Sequence, residues 1–126
     1  QISKLANQII VSLTIGAVAE AVSLCEKAGA DPGKMIKALT GGWADSKILQ
    51  THGQRMIKKD FMPKGKTSTQ LKDMNNILDC AKDSNLHLPI STLVKEMYNN
   101  LVNNGYSNID HSSLYKEIER LNKKRE

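Results

Sequence analysis

Cysteine, proline and aromatic residues are all scarce in this 126-residue chain, and each scarcity removes a class of protein. The two cysteines, Cys25 and Cys80, lie far apart in helix-like segments. Neither a disulfide framework nor a C-x-x-C zinc pair is written here, and a reducing, cytoplasmic setting is expected. Aromatic residues are only 4% of the chain, too few for the stacking platforms with which proteins grip single-stranded nucleic acid. Long apolar runs are missing too. The stretch from Leu5 to Ala19 contains Asn7 and Gln8 and stops at Glu20, short of the roughly 20 apolar residues of a bilayer span. It is expected to be a buried helix, with no membrane partner, and no basic segment ahead of it marks a signal peptide.

The eight glycines fall at 16, 29, 33, 41, 42, 53, 65 and 105, so a G-x-G-x-x-G fingerprint cannot be placed anywhere in the chain. The run Gly65-Lys66-Thr67 imitates the end of a P-loop, but Asp60 stands where its first glycine is required. His52, His87 and His111 show no metal-ligand spacing and read as solvated or hydrogen-bonded histidines, so no metal is expected. No G-x-S-x-G elbow is present. The net charge of +5 gathers in Arg55, Lys58, Lys59, Lys64, Lys66 and Lys72. Such a stretch attracts phosphate, and it keeps a basic, non-enzymatic helical binding module as the competing class. The expected reading is nonetheless one without nucleic acid.

What is present is helical periodicity. Ile2, Leu5, Ile9 and Leu13, with Ala6, Ile10, Ala17 and Val18, recur at helical spacing as far as Leu24 and Gly29. This predicts a first helix of about 28 residues, roughly 42 Å long, apolar nearly all round and so buried on several faces. Asp31-Pro32 opens a short second helix that Gly41-Gly42 ends. A third runs from about Asp45 to Lys58, and Asp60 to Lys66 form a linker broken by Pro63 and Gly65. Thr67 and Gln70 have the spacing of a capping box before a fourth helix with Leu71, Met74, Leu78 and Ala81 as its stripe. Pro89 opens a fifth with Ile90, Leu93, Val94, Met97 and Leu101 on one face, ended by Gly105. Asp110 or Ser112 caps a last helix carrying Leu114, Ile118 and Leu121, with Lys123, Lys124 and Arg125 at the negative end of its dipole. No strand is predicted. The fold class is an all-α bundle of about six helices around one long central helix. Because Gln1 is not a methionine and the helical pattern is already under way there, the chain is expected to be part of a longer protein.

One polar constellation interrupts the apolar first helix. Lys4, Asn7 and Gln8 stand at i, i+3 and i+4, so an ammonium and two amides share one face near the helix start. Together they can hold an oxyanion or a hydroxyl. By spacing alone the plainer reading is a lysine snorkelling beside capping amides.

The segments ISKLANQII, GAVAEAVSLCEKAGADP, GGWADSKILQTHGQRMI, LKDMNN and DHSSL resemble, in order and over essentially the whole chain, the C-terminal domain of the β-hydroxyacid dehydrogenases. The likeness is to the tartronate semialdehyde reductase and 3-hydroxyisobutyrate dehydrogenase branches in particular. The resemblance implies a fold like the C-terminal domain of 6-phosphogluconate dehydrogenase, and a single helical domain over residues 1–126. It further implies a separate N-terminal Rossmann domain that binds NAD or NADP, and a homo-oligomer. Lys4 is the implied general acid/base. Asn7 and Gln8 are the implied substrate-binding amides, Gln8 standing where many relatives have asparagine. Lys72 of Lys72-Asp73 is the implied cofactor-binding lysine. The implied substrate is a small hydroxyacid or semialdehyde. Trp43 reads first as a hydrophobic plug between helices and second as a wall of the substrate pocket. Phe61 and Pro63 fit the family's F-x-P segment, whereas Lys64 and Gly65 replace its usual glycine and bulky apolar residue.

Overall fold

The computed structural model describes residues 1–123. Six α-helices follow one another: α1 (Ile2–Lys27), α2 (Pro32–Leu39), α3 (Lys47–Lys58), α4 (Thr67–Asp83), α5 (Pro89–Asn103) and α6 (Leu114–Asn122), with a 3-10 turn at His111–Ser113 leading into α6. Among the described residues there is no strand, only an isolated bridge between Lys66 and Asp110. Lys124 and Arg125, expected to close the last helix, lie outside the described residues.

The long first helix is the spine: it packs against each of the other five and against the 3-10 turn. Ser12, Ile15, Val18, Ala19 and Val22 form its buried side, and Ile15, Met56, Met74, Tyr98 and Leu114 meet at zero exposure in the middle of the bundle. The expected burial on several faces is not what α1 shows. Ile2 and Ile10 are each 67% exposed and Leu24 is 71% exposed, because five short helices cover one side of a rod this long and leave the other bare. By length and composition α1 is also apolar enough to cross a membrane, a test that the core helix of a bundle passes equally well.

Most boundaries follow from local chemistry. Asp31 caps α2 by accepting from the Gly33 and Lys34 amides, and the Ser46 side chain accepts from Leu49 to start α3. Helix α3 ends on a left-handed residue that is not glycine: Lys59 has φ 55. Its ammonium is held by Glu26 at 3.1 Å and by the Tyr115 hydroxyl at 2.5 Å, tying the ends of α1, α3 and α6 together.

Two expectations are corrected. Thr67 and Gln70 do not form a capping box: Lys66 is the N-cap of α4 and makes no side-chain cap. The Thr67 hydroxyl is buried against the Ile109 carbonyl and the Ser113 hydroxyl, and Gln70 turns inward to Ser12 and His111. The predicted face of α5 is also rotated. Ile90 and Leu93 are 62% and 57% exposed, while Ser91, Val94, Tyr98 and Leu101 point inward, since the Tyr98 hydroxyl reaches the His111 carbonyl at 3.0 Å and sets the helix's rotation.

The two long loops are sewn together. Thr67 donates its amide to Ile109, Ser68 to Ser107, Asp110 to Phe61 and His111 to Gly65. The Asp110 carboxylate accepts from the Lys64 and Gly65 amides on one oxygen and from Ser112 on the other. Burial works to raise the Asp110 pKa, but these donors outweigh it and bring it down to about 2.

Candidate functional site

Lys4 sits in the first turn of α1, exposed, with no hydrogen bond or ion pair among the described residues. Asn7 and Gln8 follow on the same face. Their amides are ordered by a short relay. Gln8 donates Nε2–H to Asp73 Oδ2 at 2.7 Å, and Asn7 donates Nδ2–H to Gln8 Oε1 at 3.0 Å. A carboxylate only accepts, so Asp73 fixes which way the Gln8 amide faces. Gln8 is then occupied at both ends. Asn7, which is exposed, keeps its carbonyl oxygen and one N–H for another partner.

This relay joins the beginning of α1 to α4, and it places the residue beside Lys72 within one hydrogen bond of the Lys4 turn. Lys72 is itself exposed. The resemblance singles out Lys72 and gives Asp73 no role. The signal was there in the Lys72-Asp73 pair, but only packing of α4 on α1 reveals that the carboxylate faces Gln8.

Trp43 corrects its first reading. It is fully exposed on the loop between α2 and α3 and plugs no gap in this chain. Its loop is ordered from below: Gly41, at φ 83, donates its amide to Asp45 Oδ2 at 2.8 Å, and Gln50 donates to the same carboxylate. The structure shows no contact between Trp43 and the Lys4 turn.

The basic stretch is partly consumed by the fold. Arg55 donates to the carbonyls of Asp60 and Met62 and lies 3.6 Å from Asp110, and Lys59 is bound to Glu26 and Tyr115. Both cysteines are free and half-buried. A concavity of about 650 Å³ is lined by Glu20, Ser23, Leu24, Tyr115 and Ile118 among others, at the far end of α1, about 28 Å along the helix from Lys4. The Lys4 turn is by contrast an open surface of this chain.

The architecture is that of an all-helical domain wound on a single long helix whose first two turns carry a lysine and two ordered amides. Residues 1–118 match the family described as NAD-binding of NADP-dependent 3-hydroxyisobutyrate dehydrogenase, and the chain belongs to that family. The chain is 47% identical over 121 residues to 2-hydroxy-3-oxopropionate reductase of Escherichia coli strain K12, a match covering 96% of this chain and 41% of that protein. It is 33% identical to a probable mitochondrial 3-hydroxyisobutyrate dehydrogenase-like protein of Arabidopsis thaliana, over 97% of this chain and 36% of the relative. Among solved structures, 3-hydroxyisobutyrate dehydrogenase from Salmonella typhimurium superposes with a TM-score of 0.86 at 26% identity, over 91% of this chain and 40% of that one. The chain thus spans about two fifths of the length of these relatives.

Proposed function

We propose that this chain is the helical C-terminal half of an NAD(P)-dependent oxidoreductase that interconverts a β-hydroxyacid and its semialdehyde, tartronate semialdehyde in the first instance. In this reading a separate N-terminal domain holds the dinucleotide and covers the open face of the Lys4 turn. The single observation that supports it most is the Asn7-Gln8-Asp73 relay one turn from Lys4 at the start of the spine, in a chain 47% identical to a 2-hydroxy-3-oxopropionate reductase. A 3-hydroxyisobutyrate or succinic semialdehyde substrate is the neighbouring alternative within the same chemistry.

Hydride delivery to an aldehyde leaves an alkoxide that must be protonated, and the reverse direction needs a base for the alcohol proton. A nicotinamide held by the N-terminal domain would supply or accept the hydride. Lys4 Nζ performs both proton steps, giving its proton to the nascent alkoxide or taking it from the alcohol. Asn7 presents its free amide edge to the substrate, and Gln8, clamped by Asp73, holds Asn7 in place. This divides the two amides into one that contacts substrate and one that positions. Lys72, on the helix that carries Asp73, lies on the cofactor side, and Trp43 forms a wall of the closed pocket.

The test is Lys4→Ala in the full-length enzyme. Turnover is expected to fall by about 10²- to 10⁴-fold with dinucleotide affinity nearly unchanged; near-normal turnover excludes the assigned role. The chain alone is expected to be inactive.

A further inference from the structure

His52 on α3 and His111 in the 3-10 turn are 59 residues apart, yet their Nε2 atoms stand 2.9 Å from each other, with the rings tilted at 47°. The other nitrogen of each ring determines what this contact is. The Thr51 hydroxyl directs its proton to the Lys47 carbonyl at 2.9 Å, so toward His52 Nδ1, also at 2.9 Å, it accepts, and His52 carries its hydrogen on Nδ1. The Gln70 amide nitrogen donates to Ser12 Oγ, so the Gln70 oxygen faces His111 Nδ1 at 2.7 Å, and His111 also carries its hydrogen on Nδ1.

With those two hydrogen-bond directions, each ring turns an Nε2 lone pair toward the same point. Two facing lone pairs at that distance repel unless a positive species lies between them. A metal ion is the species this geometry suits: two imidazole nitrogens converge on one point with a carboxylate close by. Hydrogen bonds that fix the non-ligating nitrogen of each ring are the usual support of metal-bound histidine.

The surroundings fit. Ligand atoms of His52, Asp110 and His111 all lie within 4.8 Å of one another. The Asp110 oxygens are taken up by backbone and Ser112 donors, so this carboxylate acts as a nearby counter-charge, partly offset by Arg55. The His111 ring lies on the bare Cα of Gly65, where an added Cβ would come within 3.1 Å of Cε1. A bulky residue at position 65 would take the space that the ring uses. Two nitrogens on a tetrahedral zinc stand about 3.3 Å apart, so the rings need to part by only a few tenths of an ångström.

We propose that His52 and His111 form a two-imidazole site for a divalent transition-metal ion of the imidazole-preferring class, with Asp110 as its counter-charge and water completing the coordination.

The experiment is a Zn(II) titration of the chain by calorimetry, beside His52→Gln, His111→Gln and the exposed control His87→Gln, with folding of each checked by circular dichroism. One Zn(II) site is expected, weakened at least about tenfold in the first two variants and unchanged in the third. Nitrogen-15 spectra of the unaltered, metal-free chain at neutral pH supply a reading that needs no variant, with Nδ1–H expected on both rings. Absence of Zn(II) binding, equal affinity in all four proteins, or an Nε2–H on either ring overturns the proposal.

Discussion

Gln8 and Asp73 are 65 residues apart and joined by a 2.7 Å hydrogen bond that locks the first turns of α1 to α4. The bond carries orientation, since it fixes the Gln8 amide and, through it, Asn7. In the full-length enzyme, Asp73→Ala is expected to reduce kcat by roughly 10- to 100-fold through misplacement of the Lys4 face. Asp73→Asn, which retains an acceptor oxygen, is expected to recover most of it. Steady-state kinetics of the two variants check this, and a full loss in Asp73→Asn contradicts a positioning role.

Glu117 gives the fold an acid-sensitive element. It is 1% exposed and bound by Arg120 at 2.7 and 2.8 Å and by Asn100 at 2.8 Å. Burial works to raise its pKa, but Arg120 and Asn100 outweigh burial and hold it below the usual carboxylate value. A carboxyl lowered in the folded state adds stability above its unfolded pKa and loses it as pH falls through the folded value. Denaturant melts from pH 7 to pH 3 are expected to show this loss, and Glu117→Gln should flatten that part of the profile.

The opposite limb belongs to Lys59. Burial lowers its pKa, but bonds to Tyr115 and Glu26 outweigh this and raise it. A raised lysine stabilises fully below its unfolded pKa, near 10.5, and loses that contribution as pH climbs through the folded value. Tyr115→Phe removes the hydroxyl that bonds both partners. It is expected to cost about 1 to 2 kcal/mol at pH 7 and to weaken the alkaline decline, as urea titrations at pH 7 and pH 11 will measure.

Where α3 crosses α2, a Cβ at Gly53 would lie 2.8 Å from Ile36 Cδ1, so the tip of that buried side chain would have to move. Gly53→Ala is expected to cost no more than about 1 kcal/mol net, the displacement of the Ile36 tip being set against alanine's better helix propensity. Adding Ile36→Val, which deletes the clashing methyl, should return part of that loss. Thermal melts of the two single variants and the double variant measure the coupling, and strict additivity argues against the clash.

Periodicity and capping chemistry made the six helices legible. Asp31-Pro32, Pro89 and Gly105 stand where the chain turns, because those residues act on their own backbone and need no distant partner. The face that α5 buries was hidden because Ile90 and Leu93 are apolar yet exposed, while Ser91 and Tyr98 are polar yet buried. That choice is made by tertiary partners. Thr67 and Gln70 had capping-box spacing, but contacts with α1 and the 3-10 turn prevailed over the local motif. At the site, the Lys4-Asn7-Gln8 face could be written from helical spacing alone. Asp73 could not, and neither could the meeting of His52 with His111, since each depends on how separate helices pack.

The cross-bonded loops at Phe61–Ser68 and Ser107–His111 have a mechanical consequence. Helix α4 cannot slide without dragging the strap that leads into α6, so Lys72 and Asp73 travel with half the bundle as a single block. Adjustment to a small molecule at the spine's first turn must then come from the tips of Lys4 and Asn7, while the platform beneath them stays still.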